Sequence, residues 1–127
     1  MISDTYNSIK DWLNSHNLLD DYILQFRKWV EVKNTKSNRY IVIVPAGGGN
    51  ASEAVTRDYF RIVIISAIND SNIVAVNDRA DEIRQFMLDD FESNNVISMN
   101  PIGGITQSNT EEGRFIFEFT AQMIISR

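Results

Sequence analysis

Apolar side chains near the start of the chain recur at helical spacing: Tyr6, Ile9 and Leu13, with Trp12 beside them. With Ser3 as a plausible N-cap and Asp4 in the first turn, this predicts a helix over 4–15, ended by "SHN" at 15–17. Residues 22–33, "YILQFRKWVEVK", are rich in aromatic and β-branched types and read as a strand. The turn cluster "NTKSN" (34–38) and the run "RYIVIV" (39–44) then suggest that the two strands form a hairpin. Residues 59–68, "YFRIVIISAI", are nearly all apolar, as expected of a central strand covered on both faces. After "NDSN" (69–72) the period changes. Val76, Ala80, Ile83, Met87 and Phe91 mark one stripe of an amphipathic helix over 73–93, with Asp78, Asp81, Glu82, Gln85, Asp89 and Glu92 opposite. A short strand follows at 96–99. The final strand, 114–125, alternates strictly: Phe115, Phe117, Phe119, Ala121 and Met123 share one face, and Ile116, Glu118, Thr120, Gln122 and Ile124 the other. Residues 1–127 therefore read as a single α+β domain of order α-β-β-β-α-β-β, a mixed or mainly antiparallel sheet packed by two helices.

Composition narrows the class. A chain of 127 residues with 43% hydrophobic and 23% charged side chains can bury a core without covalent staples. It has no cysteine, so disulfides, thiolate metal sites and thiol nucleophiles are excluded. The opening "MISDTYNSIKDW" does not read as a signal peptide, and no apolar stretch is long enough to span a membrane. A net charge of −5 argues against a dedicated DNA binder. That charge is local: residues 1–46 hold six basic and five acidic side chains, whereas 70–95 hold two and seven.

One motif occurs twice. "YIVIVPAGGGN" (40–50) and "ISMNPIGGITQ" (97–107) both run from β-prone residues into Pro-x-Gly-Gly. A phosphate-binding loop of the Walker kind needs a Lys, and the nearest basic residue after the first motif is Arg57. A dinucleotide fingerprint needs a third glycine at the right spacing and a helix behind it, and neither is evident. The favoured reading is mechanical: proline ends a strand and glycine releases the chain into a long loop. Loops at 46–57 and 104–113 follow from that reading, and loops of about twelve residues without their own structure are often functional or disordered.

Other candidates are weighed in the same way. His16, the only histidine, reads as solvated or as capping the end of the first helix. The acids of the second helix could suggest a metal site, but they lie opposite the apolar stripe, where solvent or a docking partner is expected. The aromatic stripe of the last strand could stack single-stranded nucleic acid, but too few cations interleave it and core packing is favoured.

The ending "NPIGGITQSNTEEGRFIFEFTAQMII" resembles the C-terminal part of small phage tail proteins of the tail terminator and minor tail group. There, too, a strand enters Pro-x-Gly-Gly, a short variable loop follows, and "EGRFIF" leads into an alternating strand. "RDYFRIVIISAIND" (57–70), with the helix after it, resembles the central strand and second helix of that group. "PAGGGN" and the acidic helix have no counterpart in the resemblance. It implies a structural virion protein that self-associates as a ring, a hexamer, at the end of the tail tube. Its partners would be the tail tube protein and a head-completion protein, in the virion tail and, during assembly, in the host cytoplasm. No catalytic residue, cofactor or metal is assigned. The expected subunit or partner contacts are Gly47, Gly48, Gly49, Asn50, Thr106, Gln107, Glu111 and Glu112. Two other classes stay open: a small phosphate- or nucleotide-binding domain using the glycine-rich stretch 46–53, and a metal-dependent nuclease using the acidic helix.

Overall fold

In the computed structural model, which describes residues 2–20, 22–29, 38–51, 55–89, 96–110 and 113–126, the N-terminal pattern forms helix α1 (Ile2–Ser15). Its end is a Schellman closure. Asn17 adopts φ 57°, the Asn17 amide donates to Asn14 O at 3.1 Å, and the Leu18 amide donates to Leu13 O at 2.9 Å. Leu13 and Leu18 are both buried, which supplies the apolar contact of that motif. The second helix, α2 (Ile73–Asp89), is capped by Asn72, whose Oδ1 accepts the Ala75 amide at 3.2 Å.

The strands are β1 (Tyr22–Phe26), β2 (Arg39–Ala51), β3 (Val55–Ile65), β4 (Val96–Asn109) and β5 (Phe115–Ser126). They form one mixed sheet of order β1-β2-β3-β5-β4, with β1 parallel to β2 and every other pair antiparallel. The element order expected from sequence therefore holds, and β3, which takes in residues 59–65 of the apolar run 59–68 and begins earlier at Val55, is the central strand.

Three expectations about the strands need correction. The stretch 22–33 is not one strand of a hairpin. β1 stops at Phe26, where Arg27 takes φ 77°, and the chain returns to run parallel to β2. The connection 27–38 is long enough for such a crossover. Within it Trp29 packs on the sheet face away from the helices. The expected turn at 34–37 lies outside the described residues. Second, β4 is 14 residues long, not a short strand at 96–99. Third, the segments 46–57 and 104–113 are largely strand. β2 continues through the first Pro-x-Gly-Gly to Ala51, β3 begins at Val55, and β4 continues through the second motif to Asn109.

Both helices lie on one face of the sheet. Ile9, Trp12 and Leu13 of α1, and Val76, Ala80, Ile83 and Met87 of α2, pack against Ile41, Ile43, Phe60, Ile62, Ile64, Phe117, Phe119 and Ala121. Phe115, Phe117, Phe119 and Ala121 of β5 face the helices, as the alternation predicts, and the Met123 side chain lies outside the described residues. The opposite face carries a smaller cluster, Tyr40, Val42 and Ile65, with Ile23, Trp29, Val44, Val63 and Ile116 partly buried around it. No helix among the described residues is long and apolar enough to cross a membrane.

Candidate functional site

The two Pro-x-Gly-Gly motifs start on a single rung of the sheet. Pro45 pairs with Phe60, Phe60 with Ala121, and Ala121 with Pro101. Because β2 and β4 run in opposite directions, the glycines leave that rung towards opposite ends of the sheet. Each proline sits where no ladder needs its missing N–H. β1 ends opposite Ile43, before Pro45, and β4 is the sheet's edge.

The glycines then absorb extra residues. From Pro45 to Ala51, β2 spends six steps while β3 spends four between Phe60 and Thr56. From Ile102 to Thr106, β4 spends four while β5 spends two between Thr120 and Glu118. These are bulges, which bend a strand without ending it. Gly103 takes φ 72° within the second one.

This geometry corrects the glycine reading. Gly47, Gly48, Gly49 and Asn50 belong to β2, with Gly48 paired to Asp58, and the next element is β3. A phosphate cradle of the expected kind would need amides converging at a helix N-terminus. Thr106 and Gln107 are exposed on the β4 edge. They sit beside a groove of about 420 Å³ between α2 and β4, lined by Asn77, Asp81, Arg84, Gly104, Ile105, Gln107 and Phe117. Arg84 ties its two walls together, its Nε and Nη2 donating to Gly103 O at 3.2 and 2.9 Å. Glu111 and Glu112 lie outside the described residues.

Asp78, Asp81 and Glu82 are exposed on the outer side of α2, while the side chains of Asp89 and Glu92 lie outside the described set. Among the described residues no group of three His, Cys, Asp or Glu side chains is placed to hold a metal. His16, expected to be solvated or a helix cap, is half-buried. Its ring stacks on Phe86 of α2, centroids 4.6 Å apart, and meets the edge of Trp12 at 5.5 Å. It is a spacer between the two helices, a placement that depends on α2 and is invisible in the local sequence.

Two polar clusters escaped the sequence reading. Arg39 forms a two-point pair with Asp70, Nε to Oδ2 and Nη2 to Oδ1, both at 2.8 Å. Asp70 also accepts the Ala67 amide at 3.0 Å and the Asn72 amide at 2.9 Å. The Arg39 hydrogen bonds, aided by these amides, hold its carboxyl well below the usual carboxylate range. Beside this pair the Tyr22 ring meets both Arg39 and Arg79, whose guanidinium carbons are 5.9 and 4.9 Å from its centroid. Burial raises the Tyr22 phenol above its ordinary pKa, and the two cations oppose that shift. Arg79 Nη1 donates to Leu18 O at 2.8 Å and Asp20 O at 3.1 Å, tying α2 to the segment after α1.

The second cluster centres on Arg114, which is fully buried. Its Nη1 donates to Asn38 O and Ser66 O, both at 2.9 Å, and its guanidinium lies 5.5 Å from the Trp29 ring centroid and 5.4 Å from that of Tyr40. It closes the end of the sheet face opposite the helices. Arg114 stands in register with the even-numbered stripe of β5, and a cation there was the one available signal.

The arrangement is thus built around tied strands, bulged edges and charged outer surfaces. A family model described as phage tail termination protein matches residues 2–127. No curated protein matches the chain.

Proposed function

Since the chain belongs to the phage tail termination protein family, we propose that it acts as a ring of like subunits on the end of the tail tube. The family is structural, and termination of the tail is its role. The ring, a hexamer by resemblance, meets the tail tube protein on one side and a head-completion protein on the other, and so takes part in head–tail joining. It acts in the virion tail, after assembly in the cytoplasm of the bacterial host. The match over nearly the whole chain carries this reading. The long sheet with a bulged, exposed β4 edge supports it, because edge backbone and bulges are features through which strands meet neighbours. Gly47, Gly48, Gly49 and Asn50 at the far end of β2, Thr106 and Gln107 on β4, and Glu111 and Glu112 are the proposed contacts.

The test is sedimentation velocity over a range of concentrations, paired with negative-stain microscopy of the protein mixed with assembled tail tubes. Closed rings in solution, or rings seated on tube ends, are the expected result. A species that stays monomeric at every concentration and leaves tube ends bare would overturn the reading.

A further inference from the structure

The sheet face away from the helices carries a groove of about 340 Å³ lined by Trp29, Val42, Val44, Val63, Ile65 and Ile116. Among the described residues its polar lining is mainly cationic: Arg27, Lys28 and Arg61, with Ser108 and one acid, Glu118, which lies 3.7 Å from Arg61. Arg27, Lys28 and Arg61 are all exposed. The floor is apolar and the rim is positive, so an occupant must be apolar where it touches the floor and acidic where it meets the rim.

The outer side of α2 has that chemistry. Val74, Asp78, Asp81, Gln85 and Leu88 recur at steps of four, three, four and three, and so form one stripe. Val74 is 69% exposed and Leu88 50% exposed, so an apolar side chain stands at each end of a solvent-facing helix stripe. Between them lie Asp78 and Asp81, with Glu82 alongside. The two cations of α2 do not offset these acids outward, because Arg79 and Arg84 donate to backbone carbonyls of Leu18, Asp20 and Gly103 in the same subunit. Within one subunit the stripe and the groove cannot meet: α2 covers one face of the sheet and the groove opens on the other.

We infer that the α2 stripe of one subunit docks in the sheet-face groove of the next copy of this chain. The contact is head-to-tail, with different surfaces on its two sides, and repetition of such a contact closes a ring where the rotation allows. This inference rests on the ring reading above and adds which two surfaces make the ring.

The experiment uses two charge-reversal variants of the full chain, each first checked by circular dichroism for native folding. Lys28→Glu with Arg61→Glu makes the groove rim acidic. Asp78→Lys with Asp81→Lys makes the stripe basic. Each variant alone then sets like charge against like charge, and its half-association concentration in sedimentation should rise at least tenfold over wild type. An equimolar mixture should reassociate, because an alternating ring pairs acidic groove with basic stripe and basic groove with acidic stripe. A wild type that associates neither in solution nor on the ends of assembled tail tubes defeats the ring reading itself. A wild type that associates while both variants do so equally well, or a mixture that fails to recover, defeats the assignment of these two surfaces and leaves the ring reading standing.

Discussion

Arg114 shows how much a single side chain can hold in this fold. It joins the connection before β2, the end of β3 and the start of β5 through two carbonyls, and its flat guanidinium packs beside the Trp29 and Tyr40 rings, which meet edge-on with centroids 5.9 Å apart. Arg114→Ala removes charge-assisted bonds and buried packing together, and should cost about 3 kcal/mol in urea denaturation. Arg114→Lys keeps the charge but not the planar fork, and should recover only part of that loss. Asp70 supplies a second residue-scale prediction. Its folded pKa is depressed, so its contribution is fully present above the unfolded value of about 4 and is lost as pH falls below it. Thermal melts should therefore show stability falling with acid below about pH 4, and Asp70→Asn should flatten that slope while lowering stability at neutral pH. Tyr22 acts in the other direction: its raised pKa means that stability is lost as pH climbs above about 10.

At the scale of elements, the glycines divide by backbone and space. Gly113 takes φ 98°, and a Cβ there would lie 2.9 Å from Asn69 Oδ1, in the turn where the Asn69 amide donates to Gly113 O. Gly103 takes φ 72° in open space, and Gly104 has open space and no positive φ. Alanine should therefore cost most at Gly113, about 2 kcal/mol or more, about 1 kcal/mol at Gly103, and within about 0.5 kcal/mol at Gly104, as read from denaturation midpoints. The Arg84 bond to Gly103 O links α2 to the β4 bulge, so Arg84→Met should raise amide exchange across residues 102–106 ahead of the central β3.

For the whole molecule, the architecture leaves opposite surfaces with opposite chemistry. Helices on one face of the sheet put the acids of α2 on one side of the subunit, and the apolar, cation-rimmed groove opens on the other. The proposed ring, built from so two-sided a subunit, would present a defined end to the tail tube. If surface charge guides that assembly, raising the salt concentration should weaken self-association as measured by sedimentation, because exposed pairs are screened beyond about 10 Å at 0.1 M ionic strength.

Local pattern alone determined the order of elements, the core stripe of α2, the buried stripe of β5 and the central place of β3, because period and apolar run length are properties of a short window. The end of α1 was also legible, since "SHNL" carries its own Schellman closure. What the tertiary structure decided was everything that depends on a partner strand or helix. The glycine motifs looked like strand ends because glycine and proline are poor strand formers, yet β3 and β5 offer pairing partners along their length, and bulges absorb the surplus residues. β1 looked like half of a hairpin because adjacency suggests one, and only the Arg27 turn and the crossover make it parallel to β2. His16, Asp70 and Arg114 acquire their roles from residues far along the chain, and contacts made across such separations leave no trace in local spacing.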